Sequence, residues 1–356
     1  MELYNLGKVP WDESQLLYQA FAKTGREALL LLSPSTPYVC IGFHQDAEQE
    51  VDLEFCRANG IPVFRREVGG GAVYLDGDQL FFQLIIRRDN PIIPKNKGAF
   101  YRKFLSPVIN VYRRTGIAAE YKPVNDIVVG ARKISGTGVG EIDGSVVFVG
   151  NIIMDFNYEM MCRVLRVPDQ KFRDKVYKSL MDNLTTIRRE LGLEGARQWT
   201  ETNLNHMMAV EFQKITGPME PGSDIMSSQS FQTKLEEMRD LMLDEKWLHQ
   251  KGKRIAERKL KIRAGAEVFH NLHKAPGGLM RADFEIRDTH YVNISFSGDY
   301  FCFPSDAISE LEQRLEGSDV EETRTILLKF YSWNDVETPG IGVGDWKQLL
   351  ETKKGF

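Results

Sequence analysis

Three consecutive glycines, at residues 69–71, constrain the fold of this chain more than any other short stretch. They follow an apolar run that begins at Pro62 and ends with two arginines, Arg65 and Arg66, a pattern typical of a β-strand. Three glycines in a row are unfavourable in a helix or a strand, so the sequence predicts a loop directly after that strand. Exposed backbone N–H groups and paired guanidinium groups together suit an anion such as a phosphate. The stretch therefore predicts a nucleotide or acyl-phosphate site, with a glycine hinge in a tight turn and solvated arginines as the alternative.

A second stretch, 125–138, predicts a β-hairpin that displays a lysine. Two short predicted strands, 127–129 and 133–135, flank the turn Gly130-Ala131, and a glycine-rich turn follows. Lys133 at this place can hold a carbonyl or phosphate oxygen as a point charge. Asp126 can orient that lysine or hold Mg²⁺ near a phosphate. An exposed hairpin with a solvated lysine is an equally good interpretation of these residues alone.

Composition limits the class of protein. The formal charge of -4 disfavours a general nucleic-acid coat, because many phosphates could then be neutralised only by a local basic patch. No run of apolar residues is long enough to predict a membrane-spanning helix. The four cysteines contain no C-x-x-C pair, and the first residues show no signal-peptide pattern. These features predict a cytoplasmic protein with reduced thiols and neither a membrane nor a nucleic acid as its partner.

Hydrophobic periodicity predicts an α/β fold in two parts. A mixed β-sheet packed with helices is expected over residues 1–216, and a small α/β domain over 261–356. Between them, 217–260 predicts a linker rich in Pro, Gly and Ser, followed by an acidic helix and the basic segment 251–263. Two strands, 72–75 and 80–86, are expected to pair with each other around the turn 76–78. A further stretch, 147–155, predicts a buried strand that includes Gly150 and Asn151.

In this order the stretches resemble the lipoate–protein ligase A family of the biotin/lipoate ligase superfamily. The shared pattern is Arg65-Arg66 with Gly-Gly-Gly-Ala-Val and an aromatic residue over 69–74, then Asn125-Asp126, then Lys-Ile-Ser-Gly over 133–136. Upstream, 39–45 resembles the family's strand with a glycine and a glutamine. The resemblance covers roughly residues 1–215, and the C-terminal part is similar to the small accessory domain of complete ligases. It implies a biotin/lipoate-ligase-like catalytic domain.

The resemblance also implies a reaction in two steps. ATP and lipoate would give lipoyl-AMP, and the lipoyl group would then pass to a lysine of a lipoyl carrier domain. Lys133 would be the catalytic residue that touches the carboxylate and the adenylate, with Mg²⁺ near Asp126. The residues implied to bind substrate or nucleotide are Arg65, Arg66, Gly69, Gly70, Gly71, Ala72, Tyr74, Asn125, Asp126, Ser135, Gly136, Thr137, Gly150 and Asn151.

The chain departs from the family pattern at four positions. Val68 stands where many relatives have Ser or Thr, and Leu75 stands where many have His. Val149 and Asn151 flank Gly150 where the family usually has His-Gly-Thr. These positions concern the acyl pocket, so they bear on the choice between lipoate and octanoate and on the choice of carrier.

Other functions remain open at this point. An octanoyltransferase of the same superfamily would need a cysteine nucleophile, for which Cys40 and Cys162 are the nearest candidates. A biotin ligase would need a Gly-Arg-Gly loop, which the sequence lacks. A lipoyl-binding protein without catalytic activity is the alternative from another class. The basic segment 251–263 predicts a solvated face, or a docking site for an acidic carrier domain.

Overall fold

The computed structural model describes residues 1–251, 266–332 and 336–352. The chain forms two compact units. The first unit comprises Met1–Cys40, Glu54–Phe64 and Val73–Leu243. The second comprises Ile41–Leu53, Arg65–Ala72 and the chain from Asp244 onward. Two short stretches of the predicted catalytic domain, including the three glycines, therefore belong to the second unit.

The strands are β1 (Glu2–Val9), β2 (Ala28–Pro34), β3 (Tyr38–Ile41), β4 (Val63–Arg65), β5 (Val73–Leu75), β6 (Gln79–Arg87), β7 (Glu120–Lys122), β8 (Asp126–Val129), β9 (Arg132–Ser135), β10 (Thr137–Ile142), β11 (Ser145–Ile153), β12 (Glu220–Pro221), β13 (Ala266–Ala275), β14 (Gly278–Arg287) and β15 (His290–Gly298). The helices are α1 (Glu13–Lys23), α2 (Ala47–Glu50), α3 (Leu53–Ala58), α4 (Lys97–Arg114), α5 (Tyr158–Val164), α6 (Gln170–Asn183), α7 (Ile187–Ala196), α8 (Glu201–Thr216), α9 (Gln229–Met242), α10 (Glu245–Leu248), α11 (Ala307–Leu315), α12 (Thr323–Ser332) and α13 (Val343–Leu349).

A mixed sheet in the order β10-β11-β6-β2-β1-β12 forms the centre of the first unit. Strand β6 pairs antiparallel with both β2 and β11, whereas β1 and β2 run parallel. All of β2 and nearly all of β6 are buried, as expected for strands covered on both faces. Helix α1 contributes Leu16, Leu17 and Phe21 to the core with no exposed surface. The predicted mixed sheet with packed helices is confirmed.

The expected pairing of β5 with β6 is wrong. Strand β5 pairs with β3, so that Val73 lies opposite Cys40, and β6 has β2 and β11 on its two sides. The long apolar run of β6 needs a neighbour on each side, and both neighbours come from other parts of the chain. The turn at 76–78 joins strands of different sheets.

The predicted linker is partly ordered against the first unit. Strand β12 lies parallel to β1, with Glu220 opposite Glu2. A short 3₁₀ turn, Asp224–Ser227, follows, and Ser228 then caps helix α9 through its hydroxyl group. Helix α9 packs on α1, where the ring centroids of Phe21 and Phe231 lie 5.1 Å apart. The basic segment lies outside the described residues beyond Lys251.

The second unit contains the antiparallel sheet β13-β14-β15. Helices α11, α12 and α13 cover it, and Phe296, Leu311 and Trp346 are fully buried in its core. The predicted strands at 278–287 and 291–297 and the helix at 306–315 are confirmed. The small C-terminal part is thus an α/β structure.

Helix α6 was not predicted from the sequence. None of its side chains is fully buried, and its apolar stripe is limited to the half-buried Val176, Leu180 and Met181. Among the described residues, no helix combines the length and apolar character needed to cross a lipid bilayer.

Candidate active site

The lysine hairpin, β8 and β9, places Lys133 beside Asp126. The Lys133 Nζ atom lies 2.6 Å from Asp126 Oδ1, and the two side chains are 38% and 31% exposed. The ladder shifts register here: Ile127 faces Ser135 while Val128 faces Lys133. The residue between, Ile134, is the extra residue of a bulge, a feature that re-aims neighbouring side chains. The result is an accessible ammonium group held by one carboxylate.

The backbone around Lys133 is anchored from two sides. The Tyr112 hydroxyl donates to the Ile134 carbonyl at 2.7 Å, and Ile134 itself is fully buried. The Thr185 N–H donates to the Lys133 carbonyl at 2.8 Å. Burial raises the pKa of Tyr112, which keeps its hydroxyl proton available for this bond. The strand is therefore fixed, and only the end of the lysine side chain is left to meet a ligand.

Asn151 holds the turn that follows the lysine hairpin. Its Oδ1 atom accepts from the Gly136 N–H at 2.8 Å, and its carbonyl accepts from the Ser135 hydroxyl at 2.6 Å. Its Nδ2 group donates to Gln79 Oε1 at 2.8 Å. A Cβ atom on Gly150 would lie 2.5 Å from the Phe82 ring, so a side chain at 150 would push this turn away. The amide of Asn151 is thus bonded on both sides within the protein.

Three more predicted residues join the same network. The Thr137 hydroxyl donates to the Asn125 carbonyl at 2.6 Å, and Asn125 Nδ2 donates back to the Thr137 carbonyl at 3.0 Å. The Tyr74 carbonyl accepts from Gln79 Nε2 at 3.1 Å, which links β5 to Asn151. Burial and then the nearby Asp76 carboxylate raise the pKa of Tyr74 to about 12. The structure therefore brings together the predicted residues at 74, 125–126, 133–137 and 150–151.

The glycine loop, residues 65–72, belongs to the second unit. Arg65 is fully buried, and its guanidinium donates to five backbone carbonyl groups. These carbonyls belong to Gly42, Phe43, Gln45, Trp247 and Leu248. Burial lowers the pKa of Arg65 to about 10, so the group stays charged at neutral pH. These five carbonyls enclose the guanidinium, so a phosphate would have to displace them to reach it.

Arg66 closes the glycine loop on itself. Its Nη2 atom donates to the carbonyls of Gly69 and Gly71, each at 2.9 Å. Gly70 has a φ of 98°, in the left-handed region that favours glycine. A Cβ atom on Gly69 would lie 2.5 Å from the Tyr300 carbonyl oxygen. The three glycines thus have packing and conformational reasons within this unit, in addition to the predicted ligand contact.

Gly42 is a positioning residue that sequence reasoning named only as part of a strand. A Cβ atom there would lie 1.9 Å from the Gly70 carbonyl oxygen. No side chain fits at such a distance, so the loop keeps its place only if residue 42 is glycine. The pattern Ile41-Gly42-Phe43 gives no local sign of this, because the contact joins residues 28 positions apart.

His44 is buried in the second unit, next to the residues that bind Arg65. Its ring stacks on Tyr300 with centroids 4.9 Å apart. Burial, followed by the charges of Lys251 and Arg65, lowers the pKa of His44 to about 3. Within the part of the chain that the structure describes, its Nδ1 atom has no hydrogen-bond partner. The imidazole is therefore neutral at physiological pH.

Two features of the described chain bear on chemistry. No group of three or more His, Cys, Asp or Glu side chains there could by itself hold a metal ion. Mg²⁺ usually binds through one or two carboxylates together with substrate phosphates, and Asp126 can supply one such carboxylate.

The second unit also has a cavity of about 450 Å³, lined by polar residues such as Gln250, Asn293 and Ser309. None of the predicted site residues is among its lining residues.

Sequence reasoning missed three residues that shape the site. Gln79 bridges Tyr74 and Asn151, and a polar residue at the start of a buried strand was an available signal. Thr185 fixes the Lys133 backbone from a segment 52 positions away, and Trp247 donates its indole N–H to the Arg65 carbonyl at 2.9 Å. Neither of these has a local sequence signal.

Residues 8–213, more than half of the chain, match the model of the lipoyl protein ligase A/B catalytic domain. The matched range contains both the glycine loop and the lysine hairpin. The chain therefore belongs to the lipoyl protein ligase A/B family, and it is an enzyme of the lipoate–protein ligase type.

Curated relatives agree with this family. Lipoate-protein ligase A subunit 1 of Thermoplasma acidophilum is 32% identical over 187 residues, which are 50% of this chain and 69% of that protein. Lipoate-protein ligase LplJ of Bacillus subtilis is 33% identical over 44% of this chain, which spans 46% of the relative's length. Octanoyltransferase LipM of Clostridioides difficile is 25% identical over 43% of this chain and 63% of that protein.

Solved structures share the fold. Plasmodium falciparum LipL1 in complex with lipoate has a TM-score of 0.68 at 17% identity, and covers 94% of this chain and 95% of its own. A bipartite lipoate protein ligase of Thermoplasma acidophilum, described with its E2 lipoyl domain, has a TM-score of 0.58 at 23% identity over 71% of this chain and 97% of its own. Lipoate-protein ligase A bound with ATP gives 0.55 at 22% identity, over 70% and 99%.

Proposed function

We propose that this chain is an ATP-dependent lipoate–protein ligase. It would join the carboxylate of lipoate to AMP and then pass the acyl group to a lysine amine of a lipoyl carrier domain. One observation carries the proposal: Lys133, within the family motif, presents a half-exposed ammonium 2.6 Å from Asp126 on an anchored strand. The arrangement suits a cation that must hold an anionic intermediate without moving its backbone.

In the first step a lipoate carboxylate oxygen attacks the α-phosphorus of ATP. The new bond is an acyl–phosphate anhydride, and the bond to pyrophosphate breaks. Negative charge builds up on the non-bridging phosphate oxygens, where Lys133 can exchange its contact with Asp126 for a contact with the substrate. Mg²⁺ bound through the nucleotide phosphates would supply further neutralising charge.

In the second step the carrier's lysine amine attacks the carbonyl carbon of lipoyl-AMP. An amide bond forms, AMP leaves with the bonding electrons, and the amine loses a proton. The α-phosphate that is attacked in the first step leaves as part of AMP in the second step. Lys133 can therefore stabilise the charge on the same phosphate in both steps. The E2 lipoyl domain described with the Thermoplasma ligase supports a lipoyl domain as the acceptor. The ATP and lipoate complexes of the two other structural relatives support these substrates.

An octanoyltransferase is the second candidate, supported by the similarity to LipM. Transfer through a cysteine thioester requires an accessible thiol with a lowered pKa. All four cysteines of this chain are buried free thiols. Burial raises the pKa of Cys162, and it raises the pKa of Cys302 to about 12. These environments favour the adenylating ligase, and four unbridged thiols also support a place in the reducing cytoplasm.

Isotope exchange between pyrophosphate and ATP tests the first step. We expect exchange that depends on lipoate and Mg²⁺ and needs no carrier. A thioester transferase and a lipoyl-binding protein without activity would both show none. A second assay compares lipoate with octanoate by the mass gained by an apo lipoyl domain, which also determines the acyl preference. Absence of lipoate-dependent exchange, with transfer of octanoyl groups between carriers, would replace the ligase by a transferase.

A further inference from the structure

Helix α6 packs on one side only: Val176, Leu180 and Met181 are half-buried, and the opposite face is exposed. None of its 14 residues is fully buried, although a helix of this length is only marginally stable in water without tertiary packing. Asp169 caps it by accepting from the Phe172 N–H at 2.8 Å. Phe172 and Tyr177 are 48% and 43% exposed, and they are the only aromatic residues among the exposed large apolar residues of the described chain. Exposed aromatic residues on an ordered helix are typical of a surface that binds another protein.

The same helix carries a row of lysines. Lys171, Lys175 and Lys178 are spaced i, i+4 and i+7, which places them on one helical face, and all three are exposed. Within the described chain none of them makes an ion pair, unlike many exposed cations elsewhere in it. Residues 158–189 hold eight basic and four acidic side chains, in a chain whose formal charge is -4. The helix is thus a local positive surface on a weakly acidic protein.

This surface lies next to the lysine hairpin, within the first unit. Helix α6 ends at Asn183, and the next residue, Leu184, forms a bridge to Lys133 in β9. At a helical rise of about 1.5 Å per residue, Lys178 therefore lies about 9 Å from that bridge along the helix axis. A protein bound to α6 would reach the site where the acyl group is to be transferred.

We propose that Lys171, Lys175 and Lys178, flanked by Phe172 and Tyr177, form a docking surface for an acidic face of the acceptor protein. This inference rests on the proposed function, and it adds the surface that selects the carrier. Opposite charges across such an interface raise the association rate and suppress wrong partners, and the aromatic side chains add contact area. The surface could instead be occupied by a second copy of the chain or by the enzyme's own bound nucleotide. The experiment distinguishes these two occupants from the acceptor protein.

The test reverses the three charges in K171E/K175E/K178E. The probe is an apo E2 lipoyl domain of net negative charge, with lipoate and ATP saturating. We expect the KM for the lipoyl domain to rise about tenfold or more, while kcat and the pyrophosphate exchange rate stay within about twofold of the wild type. Added NaCl should raise the wild-type KM, because salt screens exposed charges, and should leave the variant's KM nearly unchanged.

A matched control, R57E/K95E/R197E, reverses three exposed cations elsewhere in the first unit. It should leave the KM for the carrier within about twofold, because these three side chains lie outside helix α6. A non-specific effect of the changed charge would appear equally in both triple variants. A second variant, F172A/Y177A, keeps the charge and should also raise this KM. Circular dichroism and the unfolding midpoint confirm that each variant is folded.

Four results would overturn the docking surface. The first two are an unchanged KM in K171E/K175E/K178E and an equal rise in the control. A parallel fall of pyrophosphate exchange would assign the helix to the nucleotide, and a change in oligomeric state by light scattering would assign it to a second copy. Failure of the ligase proposal is distinguishable, because wild-type enzyme would then show no exchange. Direct titration of fluorescent lipoyl domain would still measure docking in that case.

Discussion

The lysine hairpin and the glycine loop both carry a basic side chain in a family motif, but the two side chains differ in their exposure and in their partners. Lys133 is 38% exposed and has one carboxylate partner, Asp126. Arg65 is fully buried, and carbonyl groups of two chain segments surround its guanidinium. One charge is free to exchange its partner for a substrate, whereas the other is fixed by the fold. A motif therefore identifies a site without telling which of its cations performs the chemistry.

The largest expected effect comes from removing the exposed charge. Lys133→Ala should lower lipoate-dependent pyrophosphate exchange by about a hundredfold to a thousandfold, because the cation stabilises charge that develops in the transition state. Its unfolding free energy should stay within about 0.5 kcal/mol of the wild type, as is usual for surface changes. Lys95→Ala is the control at another exposed lysine. An exchange rate near wild type in the Lys133 variant would remove this residue from the chemistry.

The buried charge should show the opposite pattern. Arg65→Lys keeps the charge but loses the planar group that reaches five carbonyls, and should lower the unfolding free energy by about 3 kcal/mol. Urea denaturation measures this, and Arg57→Lys at an exposed position should have no effect. Exchange activity per folded molecule should fall much less than in the Lys133 variant. A stable Arg65 variant that has lost exchange would instead make Arg65 a substrate-binding residue.

A smaller effect is expected where the glycine loop packs on Gly42. Gly42→Ala would place a methyl group at the Gly70 carbonyl, and the loop must shift. We expect a loss of about 2 kcal/mol in unfolding free energy, within the range for overpacked sites, together with reduced exchange. Gly344→Ala, where a Cβ meets no atom within 4 Å, is the matched control. Full stability and activity in the Gly42 variant would show that the loop does not depend on this contact.

The smallest effect concerns pH. In the folded chain the pKa of His44 is about 3, below the usual value of 6.5. The unfolded chain takes up a proton below pH 6.5, so the stability contributed by the neutral imidazole is complete above that pH and is lost as the pH falls toward 3. Between pH 7.5 and 5 the loss should be about 1 to 2 kcal/mol. His44→Phe keeps a ring on Tyr300 and should remove this part of the pH dependence.

Urea denaturation at both pH values checks this expectation. His206→Phe changes a histidine at an exposed helical position and serves as the control. An unchanged pH dependence in the His44 variant would mean that His44 takes up its proton without unfolding.

Much of the site could be predicted because its signals are local. The hairpin around Gly130-Ala131 and the loop at the three glycines follow from residues adjacent in sequence. The role of Arg65 could not be predicted, since two of its carbonyl partners, Trp247 and Leu248, lie more than 180 positions away. Helix α6 was missed because its apolar stripe, Val176, Leu180 and Met181, is short and only half-buried among charged residues.

The pairing of β5 with β3 could not be predicted for a similar reason. A turn signal at 76–78 indicates a reversal of the chain but not the partner that each strand takes. Strand β6 is buried over nearly its whole length, and its neighbours β2 and β11 are chosen by the packing of the sheet. Sequence patterns therefore gave the kinds of elements and the motif residues, and tertiary contacts decided their pairing.

Detection of lipoyl-AMP tests the central claim most directly. Wild-type enzyme is mixed with lipoate, ATP and Mg²⁺ without any carrier, quenched in acid, and the small molecules are measured by mass spectrometry. We predict close to one lipoyl-AMP per folded enzyme, with little or none for Lys133→Ala and nearly the wild-type amount for Arg65→Lys below its unfolding midpoint. Wild-type enzyme that forms no lipoyl-AMP would contradict the assignment of the lysine hairpin to an acyl-adenylate.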